Sequence, residues 1–376
     1  MKRMPELDAI RGLAALTVVI SHFAVYSIFD MAKGDIEPFS FMYIYNYTPL
    51  RIIHAGHEAV ILFFILSGFV LTLSYSSESN FNIISFLFKR FSRIYIPVFV
   101  MLLVTIVFKL EFYQVDGLFG LSDWINSKWV DSINEKMLFN HFTLIFNYDY
   151  SNGLNPVLWS LTHELRFYIL FPVLIYMLMR INIIFFIFLI VILMYTGYEG
   201  LISKLGWSFS IPYGLHVTLI YLPVFLCGIL LAKYFKYIKY FYIKYLNTYF
   251  KILLLLCAVY LYTYELIFQD IKSIHNAYID NISVILGASV FVITTLSSRR
   301  VSNVLSTRVF IFLGEISYSL YLYHLIILLA SLHIFYGLVS TWLILIFAFV
   351  TTIVISYFSY KYIEMPSILY VKKLIN

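Results

Sequence analysis

Leu7-Asp8-Ala9-Ile10-Arg11-Gly12, running through an apolar stretch to Ser21-His22-Phe23, decides how this chain is read. The stretch is apolar enough to enter a bilayer, yet it carries a cation at Arg11 and an imidazole at His22. These two lie eleven positions apart, roughly 16 Å along a helix at ~1.5 Å per residue. Eleven steps of ~100° return to within about 20° of the start, so both side chains share one helical face. A charge near the membrane surface is thus followed by an ionisable group about half a bilayer deeper. Ionisable groups at that depth face a bundle interior or a wet cavity. Taken alone, Arg11 also fits a positive-inside anchor and His22 a hydrogen-bonded packing residue.

Working outward, the 376 residues are 62% hydrophobic and only 12% charged, against about 25% charged in a soluble domain. The fold class is all-α, a polytopic membrane bundle, and one membrane domain over 1–376 accounts for the length. Apolar runs at about 10–30, 57–76, 94–111, 157–179, 181–197, 212–233, 250–269, 280–297, 309–334 and 337–359 predict roughly ten spanning helices. The net charge of +6 does not point to nucleic acid, because the basic residues sit in short clusters between apolar runs. Cys227 and Cys257 lack metal-like spacing and read as packing residues. The start reads as an uncleaved first helix, since Asp8 and Arg11 interrupt any signal-peptide pattern.

Lys and Arg set the orientation. Lys2, Arg3, Lys89, Arg90, Arg93, Arg180, Lys233, Lys236, Lys239, Lys244, Arg299, Arg300, Arg308, Lys361, Lys372 and Lys373 fall on alternate connections. The opposite side holds Lys33, Arg51, Lys128, Lys136, Lys204 and Lys272. Both termini are therefore expected on the cytoplasmic side. The longest outside connection, about 112–156, carries Asp116, Asp123, Trp124, Trp129 and Asp131. Such a loop fits either a sugar-holding surface or an interfacial cap.

Four further stretches carry polar chemistry. His57-Glu58 precede Phe63-Phe64-Ile65-Leu66-Ser67-Gly68-Phe69; the first two stand at the outer mouth, and Ser67-Gly68 suit close helix packing. Arg90 and Arg93, before Pro97, are helical neighbours, fitted to phosphate or simply to cytoplasmic topology. Trp159-Ser160-Leu161-Thr162-His163-Glu164-Leu165-Arg166-Phe167-Tyr168 places a carboxylate about two turns inside a span, where it needs a partner. His163 or Arg166 would serve, as would a facing imidazole such as His22. Last comes Ser317-Tyr318-Ser319-Leu320-Tyr321-Leu322-Tyr323-His324, followed by Glu364-Met365-Pro366.

The set, in this order from residue 7 to 366, resembles acyltransferase family 3, the integral membrane O-acyltransferases of surface glycans. The resemblance implies an O-acetyltransferase. It would move an acyl group, acetyl first of all, from cytoplasmic acyl-CoA to a hydroxyl of an extracytoplasmic glycan such as exopolysaccharide or the lipopolysaccharide O-antigen. His22, Glu164 and Arg11 are the expected catalytic group, with His22 as general base or acyl carrier and Glu164 orienting it. Arg90, Arg93 and Arg11 are expected to hold acetyl-CoA, and His57, Glu58, Trp159, Tyr168, Ser317, Tyr318 and His324 the acceptor. No metal is expected. The partners are the lipid bilayer, acyl-CoA and the glycan, in the bacterial inner membrane. The C-terminal hydrolase-like domain of some relatives is expected to be missing. The rival class is a glycan or glycolipid transporter without acyl transfer.

Overall fold

The structure, a computed structural model, describes residues 4–24, 28–29, 37, 40–77, 81–113, 117–145, 153–180, 183–199, 213–264 and 277–375. Lys2, Arg3, Lys33, Asp116, Lys204 and Lys272 lie outside them. In chain order the helices are α1 Pro5–His22, α2 Phe41–Tyr47, α3 Gly56–Ser76, α4 Ile83–Phe112, α5 Asp123–Asn126, α6 Glu135–Thr143, α7 Leu158–Arg180 and α8 Ile183–Glu199. They continue as α9 Tyr213–Tyr245, α10 Thr248–Tyr262, α11 Ala277–Ser297, α12 Arg299–Leu305, α13 Arg308–Phe335, α14 Thr341–Ser359 and α15 Met365–Ile375. A 3-10 turn, Pro49–His54, follows α2, and a π turn, Tyr360–Glu364, joins α14 to α15.

Among the described residues, seven helical stretches are long and apolar enough to cross a membrane: Gly56–Ser76, Ile83–Phe112, Leu158–Arg180, Gly214–Tyr245, Ile279–Ser297, Arg308–Phe335 and Thr341–Ile375. The chain is an all-α polytopic membrane bundle. The other expected spans fall on α1, which carries three charges, and on the shorter α8 and α10. Parts of the first, fifth, sixth and seventh expected spans, 25–27, 30, 181–182, 212 and 265–269, are outside the described residues. Local signals explain the boundaries. Pro5 opens α1 with Glu6 and Asp8 in its first turn, where acidic side chains favour the helix dipole. Asn82 caps α4 by accepting from the Ser85 N–H at 3.0 Å, and Asn247 caps α10 by accepting from Phe250 N–H at 3.0 Å.

The chain divides into two compact units. The first comprises Met1–Ala14, Pro38–Phe81 and Arg166–Gly314. Here α3 lies along α9, because the two helices offer each other glycine. A methyl added at Gly68 would strike the Phe225 carbonyl, and one at Gly228 the Ile65 carbonyl. Small residues let the backbones touch where lipid supplies no hydrophobic drive. Beside this seam Phe64 meets Phe167 edge-on at 5.3 Å, and Phe167 stacks on Phe225 at 5.0 Å. Gly12 packs on the backbone at Gly314 in the same way, and Ser302 Oγ donates to Glu6 at 2.7 Å.

The second unit comprises Ala15–Glu37, Asn82–Leu165 and Glu315–Asn376. Its most enclosed helix is α13, buried almost without break from Ile316 to His333. By contrast α4 keeps Phe99, Leu103, Val107 and Leu110 exposed at helical spacing, the face of a helix whose solvent is hydrocarbon.

The 112–156 connection is ordered over its described residues by two buried rings. Trp129 adopts φ 64°, costly for a bulky residue. Its fully buried indole donates to the Leu154 carbonyl at 2.9 Å and stacks on His333. His141 donates from Nδ1 to the Met137 carbonyl at 2.8 Å and accepts the Leu154 N–H at Nε2 at 3.0 Å. Gly153 is required there, since a methyl would collide with the His141 ring. Burial, with Lys109 as a smaller cause acting the same way, pushes the His141 pKa down to about 4, against the opposing hydrogen bond to Met137. The unfolded chain, with the ordinary value near 6.5, takes up the proton first. The stabilisation is therefore complete above pH ~6.5 and is lost as pH falls toward about 4, on the order of 3 kcal/mol in all. Hydrogen-exchange protection of the Leu154 amide should drop by roughly 10²-fold between pH 7 and 4. His141→Gln should remove that dependence, and pH-independent protection in the unchanged chain would refute it.

Candidate active site

The second unit brings His22, at the end of α1, against His324 in the middle of α13. His22 Nδ1 and His324 Nε2 are 2.8 Å apart and the rings are within 5° of parallel. His324 is fully buried. Its Nδ1 faces only carbonyl oxygens, Tyr321 at 2.8 Å and Leu320 at 3.2 Å. A carbonyl cannot donate, so His324 Nδ1 carries the proton and Nε2 of the neutral ring is an acceptor. His22 Nδ1 must then be the donor. The lone pair of His22 is left on Nε2, which points away from the pair. The relay fixes a tautomer: carbonyl, His324, His22, basic nitrogen.

A loop residue encloses this ring. Trp124, in α5, lies nearly parallel to His22 with centroids 5.3 Å apart, and Lys128 Nζ stands 5.1 Å over the Trp124 ring. Ser122 sets α5 in place: its N–H donates to the Ile28 carbonyl at 2.7 Å and its Oγ caps the helix. The sequence marks Trp124 only as one aromatic in a long connection. Nothing periodic there points to His22.

The start of α7 is anchored to α13 by polar contacts. Asn155 donates to the Leu322 carbonyl at 2.9 Å, and Ser160 Oγ and Tyr321 Oη are 2.7 Å apart. Glu164 lies within coulombic reach of Tyr321. His163, Arg166 and His22 are the partners the sequence offers Glu164; the ring nitrogen bonded to His22 Nδ1 is that of His324. Trp159 meets His163 edge-on at 5.8 Å. Ser317 is buried, and Tyr318 donates to the Ile94 carbonyl at 3.0 Å, tying α13 to α4.

Arg90 and Arg93 share one side of α4. The Arg90 guanidinium lies 5.9 Å over the Phe86 ring. Arg93 acts electrostatically on Glu364, a buried carboxylate that accepts from Ser319 Oγ at 3.2 Å. The sequence quoted Glu364 only as part of the closing turn. In the first unit, Arg11 pairs with Asp8 one turn back at 3.7 Å, and Tyr168 is buried. There too His57 lies 6.1 Å from the Tyr221 ring, while Glu58 is fully buried beside Arg51 at 3.4 Å. No group of three or more metal-ligating side chains occurs among the described residues.

These features, a membrane bundle of helices with a paired imidazole inside it, define a class, and the comparison with protein families states which one. The chain belongs to the acyltransferase domain family, acyltransferase family 3, whose model matches residues 4–361. It is 30% identical over 177 residues to the acyltransferase MdmB of Streptomyces mycarofaciens, covering 45% of this chain and 38% of that protein. It is 22% identical over 236 residues to the peptidoglycan O-acetyltransferase OatA of Listeria monocytogenes serovar 1/2a, covering 59% of this chain and 30% of that protein. The chain thus spans about a third of the length of the curated relatives it matches. No solved structure matches it.

Proposed function

We propose that this chain is a bacterial inner-membrane O-acyltransferase, one domain of about ten spans with cytoplasmic termini, that carries an acyl group from cytoplasmic acyl-CoA to a hydroxyl of an extracytoplasmic glycan. Acetyl is the group favoured, in keeping with the O-acetyltransferase named among the relatives. The observation that carries the reading is the His22–His324 pair, which leaves the lone pair of His22 on Nε2.

The chemistry follows from that nitrogen. The acceptor hydroxyl loses its proton to His22 Nε2 as its oxygen attacks the thioester carbonyl carbon. The C–S bond breaks, and the imidazolium returns the proton to the departing thiolate. General base catalysis of this kind contributes ~10²–10⁴-fold. His324 Nε2 accepts from the imidazolium throughout, the orienting part that a carboxylate has in a serine triad. Glu164 adds negative potential to the α7–α13 network at Tyr321. Trp124 covers one face of the ring and keeps water from it.

Arg90 and Arg93, neighbours on α4, hold the donor's phosphates, since the planar guanidinium matches phosphate oxygens. Replacing Arg90 and Arg93 together with alanine should raise the Kd for coenzyme A by roughly 10²–10⁴-fold, at ~1.5–3 kcal/mol per charged hydrogen bond and one bond for each arginine. Equilibrium binding to the purified, folded protein measures it; an unchanged Kd would leave both arginines as topology determinants alone.

The function itself is tested with membranes containing the protein, radiolabelled acetyl-CoA and the surface-glycan fraction of the producing cells. Label entering glycan supports the enzyme. Glycan crossing the membrane without label would make the chain a transporter.

A further inference from the structure

The first unit encloses a charged pair for which the mechanism has no use. Arg51 sits in the 3-10 turn after α2, and Glu58 in the first turn of α3. Glu58 is 0% exposed and Arg51 9%. Their contact, Arg51 Nη2 to Glu58 Oε1, is 3.4 Å, long beside the ~2.7–2.9 Å of a well-made charge-assisted bond. Arg51 Nε and Glu58 Oε2 are both enclosed and have no hydrogen-bond partner among the described residues. One buried donor and one buried acceptor therefore stand side by side unused.

Leaving such groups unsatisfied costs several kcal/mol each, so the pair calls for an occupant. A lone anion would meet Glu58 and a lone cation Arg51. An apolar group would satisfy neither. The fitting complement is neutral and carries a donor and an acceptor on adjacent atoms, as the neighbouring carbons of a sugar ring carry vicinal hydroxyls. The surroundings agree. Tyr45 stacks on His54 at 4.1 Å, giving an aromatic surface beside the pair. Burial first, then Arg51, pushes the His54 pKa down to about 4, so its ring is neutral. Tyr262, fully buried on α10, stands in the field of Glu58.

We infer that Arg51 and Glu58 form a sugar-hydroxyl site for the glycan acceptor, the carboxylate accepting from one hydroxyl and the guanidinium donating to its neighbour. This rests on the acceptor being a glycan. Entry requires the 3-10 turn that carries Arg51 to draw back from Glu58 by roughly the ~3 Å of an intervening hydroxyl.

The experiment separates a binding pair from a structural one. Removing one charge alone would strand the other, so Arg51→Leu and Glu58→Leu are combined; buried ion pairs replaced by apolar groups commonly keep or gain stability. Thermal melting confirms folding. Transfer from radiolabelled acetyl-CoA is then followed against rising concentrations of the soluble surface-glycan fraction of the producing cells. The Michaelis constant for glycan should rise at least tenfold. A folded double variant with the wild-type constant overturns the inference and makes the pair structural, bridged by a buried water. If the double variant does not fold, Glu58→Gln takes its place. It keeps the volume and loses the charge, and it should raise the constant at least threefold; no change overturns the inference. Wild-type protein that labels no glycan at all would instead bring down the function proposed above.

Discussion

Replacing His22 with alanine is expected to lower acyl transfer by ~10²–10⁴-fold, the usual worth of a general base, with insertion into the membrane unimpaired. The two effects separate because the hydrogen bond that the ring makes among the described residues is to His324, through Nδ1, while the reaction uses Nε2. Its loss costs the fold about 0.5–1.5 kcal/mol. In the reaction it removes the atom that takes the proton. The measurement is the initial rate of label transfer from acetyl-CoA to glycan, normalised to folded protein. A variant working at the wild-type rate would end the assignment of His22, whatever its neighbours do.

The second large effect belongs to His324. It does not touch the reacting atoms; it positions the ring that does. With His324→Ala, nothing holds the proton on His22 Nδ1, and the tautomer with a free Nε2 lone pair loses its advantage. The rate should fall by roughly 10²–10³-fold, as expected where the orienting partner of a catalytic histidine is lost. His324→Gln is the informative companion. Its amide oxygen can reach the place of the missing Nε2 and accept from His22, so part of the rate should return, in kcat and not in KM. A purely structural role predicts that activity follows thermal stability across the two variants. Equal kcat in His324→Ala, His324→Gln and the wild type would refute positioning.

The two halves of this relay were not equally legible. Arg11 and His22 sit on one helix, and their common face follows from eleven steps of the helical period. His324 was legible as a polar residue inside a span and in a motif, and the sequence reading assigned it to the acceptor. What it faces was not. It meets His22 across 302 positions of chain, and no local pattern ranks His324 above Glu164 as the group on His22 Nδ1. Ser67 and Gly68 were read as helix packing, and Gly68 does lie against the backbone of α9. Its counterpart Gly228, inside the apolar run 212–233, gives no signal of its own. Trp124 and Trp129 lay in an irregular connection, where periodicity says nothing. Arg51 counted only as a stray basic residue on the outside until Glu58 appeared beside it.

The residues alone determined the class of molecule. Few charges and apolar runs of spanning length leave a bundle of membrane helices, because in hydrocarbon each backbone amide must be bonded within its own segment. The order of five short motifs placed the chain in its family. The tertiary structure alone decided which imidazole meets which, where the free lone pair points, and which buried charges remain unsatisfied. The two imidazoles lie 302 positions apart, and Arg51 and Glu58, though seven apart, stand on different elements. Such pairings depend on how helices rotate and slide against one another, and that is settled by the packing of all of them at once.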